Sequence, residues 1–553
     1  MDKRQGGRLV DLSAWTLEEK IGQLFICGFH SLVPDEQIRT LVQQYHVGGV
    51  VYFRRNIASV EQLAELSRSL QGLPRSKPEL PLFISIDQEG GMVARLDHEG
   101  MSRIPGNMAL GAANDPALTE EVARLAAKEM LQLGINFNFA PCVDVNNNPA
   151  NPVIGVRSFG EQPDRVAVHG AAAVRGYQAE GVIATAKHFP GHGDTAVDSH
   201  RGLASVPHGK ERLYQVELVP FREAIAEGVD AIMTAHVIFP AFEPEGTPAT
   251  LSHRVLTGLL REELGYGGLI VTDCLEMQAI AGYYGIAEGA VQAIEAGADL
   301  VLVSHTLAEQ RAAIERVAEA VRSGRISEAR LDRSLERILA LKAKRIGSAA
   351  QAAAAATATT APLTPEAESA ALLRHAAERS VTLVKGAGRL PLQSDQPVLV
   401  VWPELRHRTE VDEPAVHQYT LADALRPLHG QVVMTVIGTQ PSDEEIAAVL
   451  EQSQEVSQIV VATYTAEGGI PEGQQKLVQR LQQLSGKRLI VVSTRNPYDF
   501  NAFPEIETYL CLYENRPFSL DVAAKVLVGE LQPQGVLPVS LNQDSKFHRS
   551  ARE

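Results

Sequence analysis

At 553 residues the chain is too long for one hydrophobic core, so two or more domains are expected. Hydrophobic residues make up 45% and charged residues 21%, a composition that excludes a largely disordered chain. The net charge of −16 repels phosphate backbones and argues against a nucleic-acid partner.

The N-terminal stretch MDKRQGGRLVDLSAW is basic at its start but has no apolar segment behind the basic residues. The first apolar run, IGQLFICGF, is too short to span a bilayer. Neither a signal peptide nor a membrane partner is expected, and the cytoplasm is the simplest location. Cys27, Cys142, Cys274 and Cys511 are scattered in or beside apolar runs with no CxxC pairing, which fits buried, reduced thiols.

Up to about residue 346, short apolar runs alternate with helical patterns. The runs are GQLFICGF, VGGVVYF, PLFISID, INFNFAPCVDV, VIATAKHFPG, AIMTAHVIF, GLIVTD and ADLVLVS. DPALTEEVARLAAKEMLQLG and IAEGAVQAIEAG are among the helical stretches between them. About eight strands alternating with helices predict a (β/α)8 barrel of the TIM type. Asp87, Asp144, Lys187, His188, His236, Asp273, Ser304 and His305 gather at the C-terminal ends of these runs. A closed parallel barrel brings all those ends to one rim, where active sites are built.

ISIDQEGGMVARL, residues 84–96, offers Asp87, Glu89 and Arg95 around a double glycine. Asp and Arg can grip hydroxyls as acceptor and forked donor, and an internal Asp–Arg ion pair explains them equally well. In NPVIGVRSFG, residues 151–160, Arg157 taken alone reads as a surface arginine. KHFPGHGDTAVDSH, residues 187–200, breaks at Gly191 and Gly193 and then reaches Asp198 and His200. Two positions apart in an extended loop, these side chains project to one side, as a proton-transfer pair needs. His188, His192, Asp194, Asp198 and His200 are also possible metal ligands, but no pair has the i, i+4 spacing of a helical zinc motif, and no metal or cofactor is assigned. Asp273 ends GYGGLIVTD; it can serve as nucleophile, general base or metal ligand, or cap the helix that follows.

The charged helical pattern ISEARLDRSLERILALKAKRI gives way to GSAAQAAAAATATTAP, residues 347–362, read as a linker or a helix that frays into one. PVLVVWP, VVMTVIG, IVVATYT, RLIVVST and TYLCLYE then alternate with SDEEIAAVLEQSQ and EGQQKLVQRLQQLSG. The expected fold class is therefore α/β: a barrel over 1–346, the Ala/Thr-rich linker, and a smaller αβα sandwich over 363–553. The second unit has neither a strand-following GxGxxG nor a Walker sequence, so no nucleotide site is assigned.

Taken in order, IDQEGG…R, NPVIGVRSFG, KHFPGHGDTAVDSH and LIVTD resemble glycoside hydrolase family 3, over most of residues 12–345. The run KHFPGHG followed by DSH is similar to its β-N-acetylglucosaminidase branch, and the second unit to the sandwich of two-domain members from Gram-positive bacteria. The resemblance implies Asp273 as a nucleophile forming a covalent glycosyl–enzyme. It implies His200, oriented by Asp198, as the acid/base, and Asp87, Arg95, Arg157, Lys187 and His188 as sugar-binding residues. The implied activity is retaining exo-hydrolysis of N-acetylglucosaminides, with muropeptide fragments as the expected small carbohydrate partner. Phosphorolysis, another family 3 β-glycosidase specificity, and sugar binding without turnover stand as alternatives. Nothing in the sequence specifies an oligomeric state.

Overall fold

The structure is a computed structural model of the chain and describes residues 12–357, 363–364, 366–404 and 418–541. Eight parallel strands form the first sheet: β1 Phe25–Cys27, β2 Gly49–Tyr52, β3 Phe83–Ile86, β4 Phe137–Asn138, β5 Thr185–Phe189, β6 Ala231–Thr234, β7 Leu269–Cys274 and β8 Leu300–Val303. Each lies within one of the eight apolar runs, except that β7 extends one residue beyond GLIVTD to Cys274. Parallel strands covered by helices are buried on both faces and therefore read as continuous apolar stretches. The neighbour order is β4-β3-β2-β1-β8-β7-β6-β5. Bridges Phe137↔Ile183 and Cys142↔Lys187 join β4 to β5 and close the barrel. The helix Pro116–Gln132 begins where Asp115 accepts the N–H groups of Ala117 and Leu118, and Ser327 caps Glu328–Arg345 in the same manner.

Two register irregularities matter for the rim. On β5, Ala186 pairs with Ile232 and Phe189 with Thr234, so Lys187 and His188 together oppose the single residue Met233. On β7, Val271 pairs with Leu300 and Cys274 with Leu302, so Thr272 and Asp273 oppose Val301. A bulge of this kind breaks the strict in–out alternation of a strand. Lys187 and His188, adjacent in sequence, thus both reach the barrel mouth.

A second sheet contains β9 Thr382–Lys385, β10 Val398–Pro403, β11 Val432–Ile437, β12 Gln458–Thr463, β13 Arg488–Ser493 and β14 Tyr509–Cys511, in the order β9-β14-β13-β12-β10-β11. All neighbours run parallel except β9, an antiparallel edge strand that the apolar runs did not reveal. Alternate strand residues feed two cores. Leu399, Val401 and Val491 pack with Ile446, Val449, Leu477 and Leu481. Val398, Val400 and Val492 pack with Leu421, Leu425, Leu520 and Ala523. Helices therefore cover both faces. Met108, Ala109, Ala112 and Val156 of the first unit join one of these cores, so the two units share apolar packing.

The Ala-rich segment opens as a helix, Ala349–Ala355, with a capping box between Ser348 and Gln351. Its stretch 358–362 lies outside the described residues. Cys27, Cys142 and Cys511 are buried as free thiols, whereas Cys274 is partly exposed at the barrel mouth, contrary to the expectation for all four.

Candidate active site

A cavity of about 500 Å³ opens at the C-terminal rim of the barrel. Asp87, Arg95, Arg157, Lys187, His188, His200 and Asp273 all line it, and Asp198 stands behind His200. The residues singled out from the sequence thus converge, although they leave the barrel from different strands.

The sugar-binding candidates form one charge network. Glu89, almost wholly buried, accepts Nζ of Lys187 at 2.7 Å and a fork from Arg157, Nη2 at 2.8 Å and Nε at 3.0 Å. Lys187 also reaches Asp87 Oδ1 at 2.8 Å, and Arg95 lies 3.8 Å from the other oxygen of Asp87. Burial alone pushes the Glu89 carboxyl up, but Arg157 and Lys187 outweigh it and hold the group far below the usual range. The same pairing holds Lys187 charged despite burial, through Asp87 and Glu89. Arg157 is therefore not a surface arginine. It is 8% exposed, its ring of partners is internal, and its Nη2 lies 3.4 Å from His188 Nε2. The Asp87–Arg95 pair exists, but Lys187 is the closer partner of Asp87.

His188 is oriented from behind. Its Nδ1 lies 2.7 Å from Asp144 Oδ2, and Asp144 also accepts the backbone N–H groups of His188 and His192. Burial raises the Asp144 carboxyl, but His188 and His192 outweigh it and bring it to about 2. Asp144 was visible from the sequence as a polar strand end, and its pairing with a residue 44 positions away was not.

Beyond β5 the chain makes the loop that carries Asp198 and His200. Gly191 adopts φ +133°, which L side chains rarely take. Gly193 is required by proximity, since a Cβ there would lie 1.7 Å from the Val145 carbonyl oxygen. His192 is clasped inside the loop, with Nδ1 2.9 Å from Thr195 Oγ1 and Nε2 2.9 Å from Ser199 Oγ. Burial pushes this imidazole down to about 4, so it is neutral near pH 7. Asp198 Oδ1 accepts both the backbone N–H of His200 at 2.9 Å and its Nδ1–H at 2.8 Å. The two side chains are joined by a side-chain-to-backbone turn, not by projection from an extended strand. Burial raises the Asp198 carboxyl, and the His200 hydrogen bond then brings it below its usual range. This bonding assigns the proton to Nδ1 and leaves Nε2 of His200 for the cavity.

Asp273 accepts the N–H of the next residue, Cys274, at 2.7 Å and caps no helix; the next one begins at Gln278. Burial pushes its carboxyl up, but the imidazoles of His236, His188 and His200 and the Lys187 ammonium outweigh it and keep the group ionised. Glu276, which also lines the cavity, accepts the backbone N–H groups of Ser304, His305 and Thr306 and fixes that turn.

The loop residues weighed as one metal set, His188, His192, Asp194, Asp198 and His200, do not converge on a common point. Among the described residues, three other groups bring ligand atoms together: Cys142, Asp144 and His188; Cys274, Glu276 and His305; and Asp194, His208 and Glu217.

The profile of the glycosyl hydrolase family 3 N terminal domain matches residues 16–341. A solved glycoside hydrolase family 3 β-N-acetylglucosaminidase from Paenibacillus sp. str. FPU-7 superposes with a TM-score of 0.90 at 50% identity, over 96% of this chain and 99% of that one. Beta-hexosaminidase A of Pseudoalteromonas piscicida is 33% identical over 569 residues, covering 92% of each chain. A beta-hexosaminidase of Stenotrophomonas maltophilia (strain R551-3) is 42% identical over 288 residues, 51% of this chain and 83% of its own. With its barrel, its carboxylate-rich cavity and these relatives, the chain belongs to glycoside hydrolase family 3 and is a glycoside hydrolase.

Proposed function

We propose that this enzyme is a retaining exo-β-N-acetylglucosaminidase that removes non-reducing terminal N-acetylglucosamine from small glycosides, muropeptide fragments among them. One observation carries the reading. An ionised carboxylate, Asp273, shares a cavity with an imidazole, His200, whose Nδ1–H is held by a buried carboxylate.

In the first step Asp273 attacks the anomeric carbon while protonated His200 gives its Nε2 proton to the departing oxygen. The C–O bond to the leaving group breaks as the C–O bond to Asp273 forms. In the second step neutral His200 takes a proton from water, whose oxygen displaces Asp273 and releases the sugar with its starting configuration. Asp198 stabilises the imidazolium in both steps and keeps its proton on Nδ1. Asp87, Arg95, Arg157, Lys187 and His188 hold the hydroxyls of the bound sugar, the carboxylate as acceptor and the forked and charged cations as donors. A cavity of about 500 Å³ suits one or two sugar rings, which favours action at chain ends.

The test is turnover of p-nitrophenyl N-acetyl-β-glucosaminide by Asp273→Ala. Activity falls by about 10⁴-fold or more while the far-ultraviolet circular dichroism is unchanged. Turnover near the wild-type rate removes Asp273 from the role of nucleophile. Free sugar released at a phosphate-independent rate identifies hydrolysis, and sugar 1-phosphate identifies phosphorolysis.

A further inference from the structure

We infer that Asp194, His208 and Glu217 form a structural site for a divalent cation of the zinc class, at the base of the loop that carries His200. None of the three lines the catalytic cavity. They come from separate segments: Asp194 from the loop after β5, His208 from the stretch before the helix Lys210–Gln215, and Glu217 from the turn after it. One ligand atom from each lies within 4.8 Å of the others, and Asp194 Oδ2 is 2.6 Å from His208 Nε2.

The feature that points to a ligand is Glu217. Its side chain is 1% exposed. Oε1 accepts Asn147 Nδ2 at 2.9 Å and Arg212 Nη2 at 3.2 Å. Oε2 is equally buried and receives no hydrogen bond among the described residues. A buried carboxylate oxygen without a donor is costly, and a cation beside it removes that cost. One imidazole and two carboxylates are a ligand set that zinc accepts, with water completing the shell. Asp194 and His208 are each about a quarter exposed, which gives a cation a route in from solvent. Among the described residues Arg212 is the arginine that pairs with the cluster, through Glu217. It donates to Oε1 of Glu217, the oxygen that also accepts Asn147, and its charge lowers cation affinity.

The placement gives the cation a task. Gly191 packs directly on Glu217, since a Cβ at Gly191 would lie 2.8 Å from Glu217 Cβ. Asp194 then reaches back to the same place three residues later. A cation held by Asp194 and Glu217 clamps both ends of that turn, and the clamped segment runs on to Ser199 and His200.

Protein stripped with a chelator and dialysed is titrated with zinc chloride by calorimetry, and the bound metal is counted after gel filtration. Wild type binds one equivalent that His208→Gln and Glu217→Gln each weaken by about tenfold or more. Glu217→Gln keeps the side-chain shape, so a folding defect in one variant leaves the other decisive. His200→Ala retains the equivalent, which separates this site from the cavity histidines. Zinc raises the unfolding midpoint and slows hydrogen exchange over residues 191–200 in wild type, and does neither in the two variants. Wild-type titration by both variants, no binding by wild type, or loss of the equivalent in His200→Ala overturns the assignment. These readouts are stoichiometry and exchange, so they do not depend on glycosidase activity.

Discussion

Asp198→Asn isolates the contribution of the carboxylate behind His200. Asp198 Oδ1 lies 2.8 Å from His200 Nδ1, with the Asp198 side chain 3% and the His200 side chain 25% exposed. Charge centres of such a pair sit about 4 Å apart, where attraction in partly shielded protein is about 4 kcal/mol. The exposed edge of His200 reduces this to about 2–4 kcal/mol, or roughly 30- to 1000-fold in any step that needs imidazolium. The loss is unequal between steps. p-Nitrophenolate leaves without protonation, so the first step on p-nitrophenyl N-acetyl-β-glucosaminide survives, while attack by water still needs the base. The expected result is a burst of p-nitrophenol, a slow steady state, and covalent glycosyl–enzyme visible by intact-protein mass spectrometry. N,N′-diacetylchitobiose has a poor leaving group and loses the first step as well, so its rate falls further. Turnover within threefold of wild type on both substrates refutes the dyad. An equal loss on both substrates with no adduct refutes the division of labour between the steps.

Glu89→Gln leaves buried Arg157 and Lys187 without their shared carboxylate, at a cost of about 3–5 kcal/mol; an unchanged urea midpoint contradicts the network. Gly193→Ala forces the loop off the Val145 carbonyl, and a displacement near 1 Å lowers kcat/KM by about 100-fold with little change in thermal midpoint. Activity near wild type in that variant shows that the close approach is dispensable. Burial raises the Asp499 carboxyl in the second unit from 3.8 to about 7, against the hydrogen bond from Thr463 and the charge of Arg495. The folded state then binds the proton more tightly than the unfolded state, so the contribution of this group is greatest below about pH 4 and is lost as pH rises from about 4 to 7, by up to about 4 kcal/mol. Asp499→Asn flattens that decline and raises the unfolding midpoint at pH 8; parallel profiles for the two proteins contradict the assignment.

The strand runs were legible because burial on both faces writes itself as unbroken apolar sequence, and the rim followed because strand ends of a parallel barrel share one side. The proximity of Asp198 and His200 was legible because it is local: the two meet within three residues. Its geometry was not, since an extended segment and a side-chain-to-backbone turn both bring positions i and i+2 together. Arg157 was misread because its partner, Glu89, is 68 residues distant, and nothing in a ten-residue window reports it. The bulges at Lys187–His188 and Thr272–Asp273 were equally hidden, because register is a property of two strands and the sequence of one carries no sign of its neighbour. The edge strand β9 escaped for the same reason, since four residues become a strand only by pairing with β14, about 125 positions away.

The second unit grips the rim unevenly, and the unevenness matches the proposed chemistry. Arg516 pairs with Asp97 at 2.7 Å and Glu514 accepts Gly106 N–H at 2.7 Å, fixing the stretch that follows Asp87, Glu89 and Arg95. The segment around Arg157 is held where Glu161 donates to Pro538 O and accepts Ser540 N–H, and where Asn146 meets the Tyr498 hydroxyl. Glu514, Arg516 and Glu161 are all at least nine-tenths buried, so breaking these contacts leaves buried charges unpaired. The loop carrying the dyad is tied to the second unit by Arg201 and Glu467, whose side chains are 51% and 35% exposed. An ion pair that open to water contributes about 0–1 kcal/mol. In the proposed mechanism the sugar-holding side is thus joined to the second unit by buried contacts, while the loop of Asp198 and His200 meets that unit through an exposed ion pair.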